Sequence, residues 1–299
     1  MSARIARVAL HCSIAIAITG CGGGGGGPCT RDDECPSHFC KADGTCGPAP
    51  VDASPGSDAP DGSSGLCTPN HDGQLTPNEI PLVAGRMANF RIATNATWNT
   101  AGTANPDGSR HWTLTGTLSG DADKVIALAS PTGTWWHPDF AAATYAAPLS
   151  ASSDLAGVFH VDASGVTLLG VVSPTGGATR TELTYDPPVK ILALPFGAGS
   201  MWSSTSTVSG YAQGVITAYT ETYDSLADQV GTMTTPYGDF PVIRVATDLT
   251  RTAGLVTLSS TRTFAWVAEC FGSVATVTSQ DPASGAEFSD DAEVRRLAP

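Results

Sequence analysis

The chain has 299 residues, with 28 Asp and Glu against 15 Lys and Arg and a net charge of −13. Nucleic acid and anionic lipid headgroups both need clustered positive charge. No block of Lys or Arg exists beyond Arg295-Arg296, so neither is expected as a partner.

In chain order, Arg4 and Arg7 give a positive head, and residues 8–18 form an apolar body interrupted by His11. That body is too short to span a bilayer, which takes about 20 residues, and the layout is that of a secretory signal peptide. It ends in Ile18-Thr19-Gly20-Cys21, which resembles the bacterial lipobox. The resemblance implies cleavage before Cys21, a diacylglyceryl thioether on its sulfur and acylation of the new amine. Several acyl chains make a stable anchor, since each buried methylene contributes ~0.8 kcal/mol. The expected location is the cell envelope of a Gram-negative bacterium. Gly22 stands where an Asp retains lipoproteins at the inner membrane, so the outer membrane is preferred. Residues 21–28 read as a glycine tether, flexible and without apolar side chains to fold upon. Loss of residues 1–20 removes Arg4 and Arg7 and takes the net charge from −13 to about −15.

Cys29, Cys35, Cys40 and Cys46 cluster in residues 29–46, while Cys67 and Cys270 stand apart. An exported chain forms disulfides, and locality suggests two bridges within the cluster and one long bridge, Cys67 to Cys270. Zinc is the rival for the cluster, with His38 nearby, but the segment has no C-x-x-C and export disfavours metal-held thiolates. The spacing resembles small cysteine-rich modules of exported Gram-negative lipoproteins. Residues 47–66 are dominated by Pro, Gly, Ser, Ala and Asp and read as a disordered linker reaching ~25 Å.

Residues 67–79, CTPNHDGQLTPNE, resemble the EF-hand or dockerin-type calcium loop. With Gly73 at the sixth position, the resemblance implies Asn70, Asp72, Gln74 (through its carbonyl) and Glu79 as oxygen ligands, the last bidentate. Calcium is therefore the candidate cofactor. The loop departs from the pattern at its first position, where Thr68 replaces Asp, and Pro69, Pro77 and Pro81 oppose flanking helices. The alternative is a metal-free turn sewn to the domain by Cys67.

From residue 80 to 299 polar–apolar alternation recurs. RHWTLTGTLS, GVFHVD, GVTLLGVV, TRTELTY, KILALP, GVITAYTETY, FPVIRVATDLT, GLVTLSSTRTFAWVA and GSVATVTS predict strands. NPDG, DASG, SPTGG, YDPP and PYGD predict the turns between them. The expected fold is all-β: a curved antiparallel sheet or incomplete barrel, with a β-sandwich as the alternative. SGDADK, with Asp121 and Asp123, reads as a polar hairpin end, and Trp135 and Trp136 as neighbours on a strand, one of them in the core. Phe264 and Trp266 alternate onto one face.

MTTPYGDFPVIRVATDLT, then TRTFAWVAECFGSVATV, together with the upstream VKILALPFGAGSMW, resemble a pattern in uncharacterised bacterial envelope lipoproteins. The pattern is a T-P-x-G-x-F…R-V hairpin followed by an aromatic strand and G-x-V. It implies a curved antiparallel sheet and no established activity. Pro236 and Gly238 make the turn of that hairpin, and Phe240 fills the core.

GAGSM at 197–201 lacks the second glycine of a nucleophile elbow, and His160 and Asp162 share a strand face with no nucleophile beside them. No catalytic residue is assigned. The expected function is a membrane-anchored, non-catalytic extracytoplasmic lipoprotein that binds a protein partner or an apolar ligand through its β-domain. A calcium-binding structural or adhesion-like surface protein is one alternative, and a hydrolase with an unrecognised site is the other.

Overall fold

The computed structural model describes residues 67–299. The signal peptide, Cys21, the tether, Cys29, Cys35, Cys40, Cys46 and the linker lie outside the described residues.

Alternation of Thr, Ser and Val with larger apolar residues suits a pleated surface with one face buried, because successive side chains point to opposite faces. The regular structure of the described chain is accordingly almost all strand. In order these are β1 (Gln74–Leu75), β2 (Met87–Thr97), β3 (Thr103–Ala104), β4 (Arg110–Thr113), β5 (Ala122–Ala127), β6 (Tyr145–Pro148), β7 (Ala156–Asp162) and β8 (Gly165–Val172). There follow β9 (Glu182–Ala193), β10 (Phe196–Gly197), β11 (Met201–Ala212), β12 (Val215–Thr234), β13 (Asp239–Ala253), β14 (Val256–Ala268), β15 (Gly272–Ser279) and β16 (Asp290–Leu297).

One antiparallel circuit of twelve strands runs β5-β2-β16-β15-β14-β13-β12-β11-β9-β8-β7-β6. Ala129, just past β5, and Ala146 of β6 exchange backbone hydrogen bonds of 2.8 and 2.9 Å. That bridge brings the two ends together, so the sheet is a nearly closed barrel and not a sandwich. Closure removes the exposed edges that a twelve-stranded open sheet would carry.

Residues paired across neighbouring strands share a face. On the inner face, Leu75 and Ile80 pack with Phe196, Ala227, Ile243 and Val267, and Tyr185, Val189, Leu183 and Val208 form a second cluster. The segment carrying Leu75 is fastened there by the Cys67–Cys270 disulfide, whose Cα atoms are 5.4 Å apart. The sequence expectation for this pair is met, within the ~7 Å that a bridge allows. On the outer face, Phe264, Trp266 and Met233 are covered by Trp98, Trp112 and Leu114 from the β2–β5 connection and by Phe288 from the β15–β16 connection. β4 joins the sheet in parallel beside the end of β12. A Cβ on Gly231 would lie 1.8 Å from the Arg110 carbonyl oxygen, so this close approach requires glycine.

Several sequence expectations change. YDPP is not a turn: Asp186, Pro187 and Pro188 lie inside β9, where pairing with β8 skips from Thr184 to Val189 and pairing with β11 stops at Asp186. The prolines occupy the gap in the ladder, where no N–H is needed. RHWTLTGTLS is strand only over Arg110–Thr113. SGDADK leads into β5 instead of ending a hairpin, because Asp121 and Asp123 pair with Arg296 and Arg91. TWWHPDF is a run of turns, with Trp136 buried and Trp135 donating its indole N–H to the Ser173 carbonyl.

Candidate functional site

The loop expected to hold calcium is built by its own hydrogen bonds. His71 and Gly73 take positive φ of 55° and 79°, reversing the chain. Asn70 Oδ1 accepts from the Asp72 N–H at 3.0 Å, and Asp72 Oδ1 accepts from the Gln74 N–H at 2.8 Å. Gln74 enters β1 and pairs with Gly197. Glu79 turns toward Thr76, accepting from its N–H at 2.9 Å and its hydroxyl at 2.8 Å. Asp72 and Glu79 therefore each close a separate turn. Among the described residues no three His, Cys, Asp or Glu side chains converge as a metal site. The loop is fastened to the domain by the Cys67–Cys270 disulfide.

His160 is likewise occupied. Its Nδ1 lies 2.7 Å from the Ala142 carbonyl and its Nε2 3.6 Å from Asp162, which itself accepts from Ser164.

Two charged clusters that the sequence reading did not single out are more developed. The first is inside the barrel. Tyr219, Glu221 and Tyr223 alternate along β12 and so face the same way. Glu221 is 0% exposed; its Oε2 accepts from Tyr185 at 2.9 Å and Tyr223 at 2.7 Å. Its Oε1 accepts from Arg251 Nε and Nη2 at 2.9 and 2.6 Å, and that guanidinium lies 4.5 Å from the Tyr219 ring centre. Burial, with the Glu221 charge adding to it, raises the Tyr185 hydroxyl pKa above its ordinary value, and burial does the same at Tyr223. Both phenols stay protonated donors. The spacing Y-x-E-x-Y was the available signal.

The second cluster lies outside. A groove of about 660 Å³ runs over the outer face of β11 to β14, with Glu287 and Ala286 forming one wall. Register explains its floor: Ser203 pairs with Asp224, Asp224 with Asp248 and Asp248 with Arg262, while Leu226, Ala246 and Phe264 form the next row. Arg244, 1% exposed, organises the wall. It donates to both oxygens of Asp228 at 3.0 and 2.6 Å and to both of Glu287 at 3.0 and 2.7 Å. A further bond of 2.9 Å reaches the Thr100 carbonyl, and the guanidinium sits 4.1 Å from the Phe264 ring centre. Paired bidentate contacts of this kind hold geometry as well as charge. Arg262 makes the same fork on Asp248 and donates to the Gly285 carbonyl at 2.8 Å. Among the described residues Asp224 accepts only from the Ser203 hydroxyl, at 2.7 Å. Four carboxylates against two guanidinium groups leave the groove net negative, on a floor that is half apolar. Such a surface can hold a cationic, partly apolar chain segment.

Asp291 is the outlier. It is 0% exposed, neither carboxylate oxygen has a partner among the described residues, and the nearby Trp98 N–H donates instead to the Ser289 carbonyl at 3.1 Å. Burial, with Asp290 adding to it, raises its pKa to about 7.

Set against known proteins, the chain matches no family model, and no curated protein or solved structure is significantly similar to it.

Proposed function

We propose that this is a lipid-anchored extracytoplasmic binding protein that holds a positively charged polypeptide segment of a partner in the outer groove of β11–β14. The observation that carries the reading is the groove itself. Asp228, Glu287 and Asp248 are held in place by Arg244 and Arg262, and Asp224 by the Ser203 hydroxyl, so they present fixed negative charge beside Leu226 and Phe264 without needing to reorganise. The inner face favours an outward site, since Leu75, Ile80 and the tyrosine cluster occupy it. The anchor rests on the lipobox-like ITGC, and the Gly-, Pro- and Ser-rich composition of residues 22–28 and 47–66 suits a domain that must reach a partner.

The test is a titration of the full chain with ten-residue peptides of matched hydropathy carrying Lys and Arg, or Asp and Glu. Basic peptides bind, more weakly as salt rises, and Asp224→Lys weakens them at least tenfold while leaving the melting temperature unchanged. Equal binding of acidic peptides, or indifference to Asp224→Lys, overturns the groove. For the anchor, metabolic labelling with a fatty acid marks the native chain and not Cys21→Ser; label on the variant overturns it.

A further inference from the structure

Three times among the described residues a carboxylate and an aromatic ring together hold a guanidinium. Arg244 lies over Phe264 between Asp228 and Glu287, Arg251 over Tyr219 against Glu221, and Arg180 over Tyr211 against Glu182. Each pairs a diffuse cation with the negative face of a ring and with a counter-charge.

The same pieces recur once more without a guanidinium, the His71 imidazole standing 3.7 Å from Glu269 at the edge of the site. A hollow of about 280 Å³ beside the Cys67–Cys270 disulfide is lined by Tyr237, Phe240 and Phe271, with Asp239, Glu269 and His71, and by no Lys or Arg. Tyr237 is 55% exposed and Phe271 48%, high values for side chains of this kind at the wall of a concavity. They are held there. Phe271 follows Cys270, whose φ of 68° lies in the left-handed region that a non-glycine residue rarely adopts. Its ring meets Phe240 edge-on at 4.8 Å, and Tyr237 stacks on Phe240 at 6.1 Å. The Tyr237 N–H is fixed by the Leu297 carbonyl and Thr235 Oγ1. Glu269 accepts from the His71 N–H at 3.0 Å, so its carboxylate is oriented too.

We infer that this hollow binds a quaternary ammonium group, seated on the Tyr237 and Phe271 rings with Asp239 and Glu269 as counter-charge. A metal ion would need several converging oxygens, and no three His, Cys, Asp or Glu side chains among the described residues provide them. A primary ammonium carries three N–H donors that must all be satisfied, which ring faces do poorly. A quaternary ammonium has no donors and spreads its charge over methyl groups, so aromatic faces can replace its water. The group has two sources, a free solute such as choline or a choline lipid headgroup. The site is independent of the groove on β11–β14, and failure of either leaves the other standing.

The experiment uses the full chain with Cys21→Ser, so that no anchor contributes. Choline chloride is titrated by calorimetry and by saturation-transfer NMR, with 3,3-dimethylbutanol as its uncharged isostere. Saturable choline binding at millimolar concentration is expected, at least tenfold tighter than the isostere. The double variant Tyr237→Leu with Phe271→Leu keeps apolar volume but removes the π faces, and lowers affinity at least tenfold; Asp239→Asn lowers it severalfold. Thermal melts establish that each variant is folded. Co-sedimentation with phosphatidylcholine vesicles, and not with phosphatidylglycerol vesicles, identifies the lipid headgroup as the source; choline binding without sedimentation identifies the free solute. Failure to bind both choline and phosphatidylcholine vesicles overturns the inference, as do equal affinity for the isostere and unchanged affinity in the folded double variant.

Discussion

The two faces of β12 carry the same residue types and use them differently. Inward, Glu221 is closed off by two phenols and a guanidinium, each within hydrogen-bond distance. Outward and three residues on, Asp224 accepts from one hydroxyl and otherwise meets solvent. A one-residue step along a strand reverses the face, so parity alone decides whether a carboxylate specifies the core or charges the surface. Inside, an unpaired partner leaves a desolvated charge; outside, water takes its place. The inner charge is therefore expected to dominate stability and the outer one binding.

Breaking the attachment that keeps the inner face filled has the largest effect. Cys270→Ala opens a bridge spanning 203 residues, and chain entropy puts the loss at up to about 5 kcal/mol. The melting temperature of the variant falls well below that of the oxidised native chain and no longer responds to reductant on account of this pair. Next comes the inner carboxylate. Glu221→Ala strands Arg251 and two tyrosine hydroxyls and costs about 4 kcal/mol in urea unfolding, whereas Glu221→Gln costs less because it keeps an acceptor. Equal losses for the two variants would mean that packing, and not the acceptor, matters there.

Asp291 sharpens the comparison because it is buried yet unpaired. Its folded pKa of about 7 lies above the ordinary carboxyl value near 4, so between those limits the folded state holds a proton that the unfolded state has lost. Its contribution is thus most favourable below about pH 4, is lost as pH rises toward 7, and is flat above, a swing of up to about 4 kcal/mol. Asp291→Asn removes that slope and raises the melting temperature most at pH 8; a variant no more stable at pH 8 than at pH 4 relative to wild type would refute it. The smallest effect is outside: Asp224→Asn shifts stability by less than about 0.5 kcal/mol, read by the same urea curves, yet weakens basic peptides in the groove.

The sequence by itself determined the local geometry of this protein. Period-two alternation marks β7, β8, β12, β13, β14 and β15, because a half-buried strand must alternate, and Pro236-Tyr237-Gly238 marks a reversal that the backbone can make cheaply. Phe264 and Trp266 do share a buried face, and Cys67 does pair with Cys270, the two cysteines that stand apart from residues 29–46 in the sequence. Tertiary structure decided the rest. β11 is half Ser and Thr, β16 mostly charged, and both are strands because neighbours on either side take up their backbone groups. YDPP, a turn by composition, stays extended because the ladder around it is open. Arg244 meets Asp228, Glu287 and Thr100 across separations of 16, 43 and 144 residues. Alternation reports only which face a side chain takes, whereas closure of the barrel and the crossings over it decide what that side chain meets.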